Sequence, residues 1–323
     1  MSLQVSTESK DASVSRYLRR TRSVDRNFMT AVYAATFFFL LLVIGLFIEL
    51  ASGSWLSIKA FGLHFLVTSE WNPVTNQFGA LPLIYGTVVT SGIGILLAAG
   101  FGIFAAAYLA EFAPRFLAQP LAFMIELLAA VPSVVFGLWA LFVLVPVMRT
   151  YVDPFLQTHF GVIPIFQGPI YGTGLLTAGC ILALMIIPTV TAISRDVIIA
   201  VAAENREASI ALGATRWETM WNVILPGAKS GIFGACVLAL GRAIGETIAV
   251  TMIIGNRPAI ETSLFAPSYT LSSVIANEFT EATTDLYISS LVELGLLLFI
   301  VSMIVNAAAR VLTFTVMRPS KAR

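Results

Sequence analysis

Charge is scarce in this 323-residue chain: Asp, Glu, Lys and Arg together make up 11% of it, against 58% hydrophobic residues. Soluble globular domains carry about 25% charged residues, so a water-soluble fold is excluded and the chain reads as an integral membrane protein. Cysteine is equally sparse. Cys180 and Cys236 lie in apolar stretches with no second Cys or His at ligand spacing, which excludes a disulfide framework and a metal site, and no cofactor is implied. His64 and His159 stand alone, and no H-E-x-x-H zinc-protease pattern occurs. No G-x-x-x-x-G-K-[ST] loop occurs either; the nearest string, Gly227-Ala228-Lys229-Ser230, lacks the adjacent Gly-Lys and the upstream glycine. The chain is therefore read as a non-enzyme that does not bind ATP through such a loop, so any energy comes from a partner. With 19 Lys and Arg against 18 Asp and Glu, the net charge is only +1. Nucleic acid, which demands a concentrated basic excess, is not expected as a partner.

What is present is apolar length. A membrane-spanning helix needs about 20 mostly apolar residues, and six runs qualify: 28–50, 83–110, 121–148, 172–194, 231–255 and 288–309. The reading is an all-α membrane protein of six transmembrane helices. Residues 1–27 are polar and basic and read as a disordered cytoplasmic tail, 28–310 as the membrane domain with a long loop at about 195–229, and 311–323 as a second cytoplasmic tail. The first run is too long for the core of a cleavable secretory signal and reads as a permanent anchor. Placing the N-terminus inside puts 15 Lys and Arg on inner segments and three, Lys59, Arg149 and Arg257, on outer ones. That asymmetry places both termini in the cytoplasm. Small residues recur every fourth position at Ala98, Gly102, Ala106 and Ala110, and again at Gly241 and Gly245. Such stripes permit close helix approach in lipid, although Gly and Ala are also simply common there.

The 195–229 loop is more organised than a connection requires. It splits into a helical stretch around 207–212 and a second from Thr215, an N-cap, to about Ile224, with Gly213 and Ala214 at the bend. Trp217, Met220, Trp221 and Ile224 fall at i, i+3, i+4 and i+7 and so share one face. That face suits a short helix docking in a partner's groove, or one lying on the lipid surface. Glu207-Ala208-Ser209, Gly213 six residues after the Glu, and Val223-Ile224-Leu225-Pro226 resemble the EAA motif of ABC-importer permeases. The resemblance implies that Glu207, Ala208, Gly213, Ala214, Leu225 and Pro226 couple the chain to a separate ATPase subunit.

A second feature lies in the fifth run, Gly241-Arg242-Ala243-Ile244-Gly245-Glu246. An Arg at the bilayer centre costs roughly 2.5–3.5 kcal/mol on insertion scales and is expected to face a bundle interior or an aqueous path. In a continuous helix Glu246, at i+4, shares its face, so the two form either a structural pair or part of a site. A guanidinium fork suits a tetrahedral oxyanion. Phosphate keeps a proton to donate to Glu246 and sulfate does not, which leans the chemistry towards phosphate. The string from Gly241 to Met252 resembles the fifth-span signature of phosphate-specific ABC permeases, as do Glu126 to Ser133, Ile187-Pro188 through Arg195-Asp196-Val197, and Ala276 to Ala282. The resemblance implies the type I ABC importer permease fold and half of a phosphate pathway through Arg242 and Glu246. It also implies four kinds of partner: a sister permease, an ATPase dimer, an external phosphate-binding protein and the lipid of a bacterial inner membrane. The alternatives are the sister phosphate permease, a permease for another oxyanion and, in a different class, a secondary transporter. The last would show more spans, internal repeats or further buried carboxylates.

Overall fold

A computed structural model describes residues 4–316, with side-chain surroundings for 28–311. Among these the fold is helical, and β-type pairing is limited to isolated bridges joining Asn72 to Gln77 and Gly255 to Ser268. In chain order the helices are α1 (Gln4–Gly53), α2 (Trp55–Phe61) and α3 (His64–Val67). They continue with α4 (Leu81–Phe112), α5 (Arg115–Ala129), α6 (Ser133–Phe160) and α7 (Leu175–Ile199). The last five are α8 (Ala203–Ala211), α9 (Arg216–Ile244), α10 (Ile248–Thr251), α11 (Leu271–Glu278) and α12 (Asp285–Val316). Six helical stretches are long and apolar enough to cross a membrane: Phe28–Gly53 of α1, α4, α6, α7, α9 and Asp285–Val311 of α12. The protein is a multi-pass membrane protein.

Contacts divide the chain at Ser52–Gly53. In the first unit α1 is helical from Gln4, not disordered up to residue 27 as the composition suggested, and that stretch holds neither Gly nor Pro to interrupt a helix. At the other terminus α12 reaches Val316, and residues 317–323 of the expected tail lie outside the described residues.

In the second unit two expected spans are corrected. The 121–148 run is broken at Ala130–Pro132, because a residue before proline is driven out of the α region. α5 carries Glu126 and stops at Ala129, and the spanning helix is α6. The 231–255 run breaks at Gly245–Thr247, and its helix extends back to Arg216 instead. The first break lies in an uncharged apolar stretch; the second falls at Gly245-Glu246-Thr247, where a charge interrupts the run that apolar counting carried through.

Proline also sets the local pitch. The chain widens to a π turn at Tyr108–Phe112, Ala140–Leu144, Met148–Val152 and Met220–Ile224. Each ends two residues before a proline: Pro114, Pro146, Pro154 and Pro226. Proline cannot donate to the carbonyl four residues back and its ring presses on it, and a wide turn relieves both.

The centre of the bundle is a seam between α4 and α7. A Cβ on Gly102 would sit 2.9 Å from Val190 Cγ1, one on Gly94 3.0 Å from Leu182 Cβ, and one on Gly179 2.5 Å from Ile93 Cγ2. The Ala98–Gly102–Ala106 stripe is buried, as a close helix contact requires. α9 joins this seam through Ala239 and Ala243, which pack with Ala98, Ile186 and Val190.

A separate core lies at the end where α4 and α12 begin. Phe65, Trp71, Phe78, Leu83, Tyr269 and Tyr287 are buried together there. Phe78 stacks on Tyr287 at 5.2 Å and meets Trp71 edge-on at 5.0 Å.

Candidate substrate path and coupling segment

Arg242 is exposed in the last turn of α9, beside the unpaired carbonyls of a helix C-terminus, where a cation is favoured. Its Nη1 lies 3.4 Å from Thr189 Oγ1, one residue beyond Pro188 in α7. Glu246 is not on the same helix face. Because α9 ends at Ile244, Glu246 falls in the irregular link to α10 and its Oε1 accepts from the Ala249 amide at 3.4 Å. The i,i+4 pairing expected from the sequence is therefore absent. The ion pairs among the described residues are Arg195–Asp196, Arg206–Glu111 and Arg257–Glu261.

The glycines beside Arg242 are not packed tightly. The nearest heavy atom to a Cβ on Gly241 would be Asn306 Nδ2 at 3.7 Å, and on Gly245 the Gly241 carbonyl at 3.7 Å. A cation and a carboxylate in irregular backbone thus lie within five residues of each other, beside glycines at which a methyl group would meet only ordinary contacts.

The break is braced from the other side. Ser272 Oγ donates to the Glu246 carbonyl at 2.8 Å. Ser272 opens α11, where Thr270 and Ser273 form a capping box and the Leu271 amide donates to Thr87 Oγ1 of α4 at 3.0 Å. At the far end of α11, Glu278 accepts from Trp71 Nε1 at 2.8 Å and from the Tyr287 hydroxyl at 2.6 Å. Asn277 Nδ2 donates to the Tyr269 hydroxyl at 2.9 Å. Burial pushes the Tyr269 phenol up to about 12, so it stays protonated at any physiological pH. α11 therefore ties Glu246 to the aromatic core. Sequence reasoning placed Asn277 and Glu278 in a motif without seeing this role.

The candidate coupling segment comprises α8, the 212–215 turn and the start of α9. The expected cap is present: Thr215 Oγ1 accepts from the Glu218 amide, and Glu218 Oε2 accepts from the Thr215 amide at 2.8 Å. α8 closes with the Gly213 amide on Ile210 O at 2.9 Å and the Ala214 amide on Ser209 O at 3.2 Å. That pair of bonds needs a left-handed residue at Gly213, which has φ +89°. Glu207, Ala208, Leu212 and Pro226 are exposed, and Ala214 and Leu225 are half-buried.

The Trp217–Ile224 face does not behave as one docking surface. Met220 and Ile224 are buried against Ala106, Ala107 and Ile198 of this chain, and only Trp217 and Trp221 remain exposed. An ion pair that the sequence did not reveal fastens the segment. Arg206 Nε lies 2.9 Å from Glu111 Oε1, and Arg206 Nη2 donates to Ile198 O at 2.6 Å. One guanidinium thereby joins α8 to the ends of α4 and α7. Two carboxyl groups were also passed over: Asp153 in α6 and Glu293 in α12 are both buried. Only their position in apolar runs could have marked them.

This arrangement, a helical membrane bundle with a capped, proline-ended loop and a charged break in a spanning helix, defines a transporter permease. The chain belongs to the family of binding-protein-dependent transport system inner membrane components, whose match covers residues 98–318. It is 46% identical over 306 residues to the phosphate transport system permease protein PstC of Mesorhizobium japonicum, covering 94% of this chain and 92% of that one. It is 43% identical to the protein of the same name from Xylella fastidiosa, covering 94% of each. In fold it resembles a chain of the bacterial alginate ABC transporter, with a TM-score of 0.58 over 90% of this chain and 96% of that one, at 16% identity. The fold is that of type I ABC importer permeases.

Proposed function

We propose that this chain is the membrane subunit of an ATP-driven inorganic phosphate importer and forms half of the pathway beside a sister permease. The observation that carries the substrate is likeness to phosphate transport system permeases along nearly the whole chain. The reading as a secondary transporter is not favoured, although Asp153 and Glu293 supply the buried carboxylates it would use. Both termini face the cytoplasm of a bacterial inner membrane, a binding protein delivers phosphate from outside, and a partner ATPase dimer supplies the energy.

In this reading Glu207, Ala208, Gly213 and Ala214 present α8 and its turn to the ATPase, and Leu225 and Pro226 pass its displacement into α9. Because Arg206 holds Glu111 and the end of α7, and α9 packs on both helices through Ala239 and Ala243, α4, α7 and α9 move together. Their movement carries Arg242 between outward and inward exposure. Arg242 meets phosphate through its donor fork. Glu246, held at the break, accepts a hydrogen bond from the proton that phosphate retains and sulfate lacks.

The test is labelled phosphate uptake, with sulfate as competitor, in cells lacking this chain and complemented with wild type or Arg242→Gln, with assembly checked in the membrane. Rescue by wild type alone, unaffected by sulfate, supports the assignment. Equal rescue by both removes Arg242 from the path.

A further inference from the structure

Beside the coupling segment a polar cleft and an apolar groove adjoin each other. The cleft, about 640 Å³, is lined by Glu111, Arg115, Arg206, Arg216 and Thr219 among others. Glu111 neutralises Arg206. Arg115 and Arg216 are exposed and make no ion pair among the described residues, so the cleft keeps two uncompensated guanidinium groups. The groove, about 470 Å³, runs along the last turns of α4 and the first of α9, walled by Phe104, Tyr108, Phe112, Trp217, Met220 and Trp221. Phe112 lines both.

We propose that cleft and groove together form a binding site for one anionic phospholipid, its phosphate against Arg115 and Arg216 and an acyl chain along Phe104, Trp217 and Trp221. The two parts match the two halves of such a molecule. Guanidinium groups fit a phosphodiester, and basic pockets at membrane-helix ends select anionic headgroups. Trp217 and Trp221, with rings 5.6 Å apart and Trp221 against Phe104 at 6.4 Å, have the amphipathic rings that settle at headgroup depth. Phe104 and Tyr108, both exposed, belong to a spanning helix, so an acyl chain can reach the groove from the bilayer. The bound lipid would cement α4 to α9 next to the Arg206 clamp, making coupling depend on leaflet composition.

The assembled transporter is reconstituted in phosphatidylcholine vesicles containing acyl-brominated phosphatidylglycerol or acyl-brominated phosphatidylcholine. The Trp217 and Trp221 fluorescence is isolated as the difference from a Trp217→Phe, Trp221→Phe variant. Two guanidinium groups near the surface predict half-quenching at a roughly thirtyfold lower fraction of phosphatidylglycerol than of phosphatidylcholine. Arg115→Gln with Arg216→Gln should abolish that preference. Equal quenching of wild type by both lipids, or a preference that survives the double Arg substitution, overturns the proposal. No quenching by either lipid means protein covers the groove and overturns it too.

Discussion

A side chain placed on Gly179, in the α4–α7 seam, would press on Ile93 Cγ2 at 2.5 Å, whereas one placed on Gly241 or Gly245, beside Arg242, would find its nearest neighbour at 3.7 Å. In the sequence both regions show small residues at four-residue spacing. In the fold the first stripe is consumed by packing within the chain, and the second is left open next to a cation and a break in the helix. Small residues in a spanning helix therefore serve two ends: dense contact between helices, and looser packing beside a charged group. The largest effect should separate these ends. Gly179→Leu overpacks the seam, and overpacking of about 1–3 kcal/mol or more is the usual consequence. Membrane-inserted protein should fall sharply, measured as detergent-stable chain per cell, whereas Gly241→Ala should leave that yield unchanged. Equal losses at both sites would erase the distinction.

Arg242→Gln sharpens the same comparison from the polar side. Since Arg242 is exposed and its contact with Thr189 is long, chain yield should match wild type while phosphate uptake drops by at least about tenfold, equivalent to 1.4 kcal/mol. Arg242→Lys keeps the charge but not the fork, and should recover only part of the rate. A yield defect equal to the uptake defect would return Arg242 to a structural role.

The parts of the fold that the sequence announced are those encoded within one turn or one long run. Thr215 read as an N-cap, and it caps the helix, with Glu218 completing a capping box. The spans at α4, α7 and α12 follow from uninterrupted apolar length. What escaped was set by proline and by distance. The break at Ala130–Pro132 lies inside an uncharged apolar stretch, whereas the one at Gly245–Thr247 falls on Glu246 and removed the helical pairing of Arg242 with Glu246. The clamp of Arg206 on Glu111 and the bond from Trp71 to Glu278, 207 residues apart, carry no local signal. The apolar face from Trp217 to Ile224 was legible as a face, but which half of it the chain would keep for itself was not.

Away from the bundle centre, Gly213 tests whether clearance or backbone conformation is the reason for a glycine. A Cβ there meets nothing within 4 Å, yet φ is +89°. Gly213→Ala should cost roughly 1 kcal/mol through left-handed backbone alone. That strain falls on the turn joining α8 to α9, so ATPase subunit retained on affinity-purified permease should decline severalfold while chain yield holds. Undiminished retention with full uptake would detach Gly213 from coupling.

The smallest effect on transport is expected at the opposite end. Trp71→Phe keeps an aromatic ring against Phe78 but removes the donor to Glu278, which still has the Tyr287 hydroxyl at 2.6 Å. A hydrogen bond to a charged group contributes about 1.5–3 kcal/mol, and the surviving partner should hold the loss to the lower part of that range. The variant should unfold at a slightly lower temperature with unchanged uptake. Glu278→Ala combined with Trp71→Phe should cost less than the sum of the two single changes, because both remove the same bond. Strict additivity would mean that Trp71 acts by packing alone and that α11 does not transmit the position of Glu246 to the aromatic core.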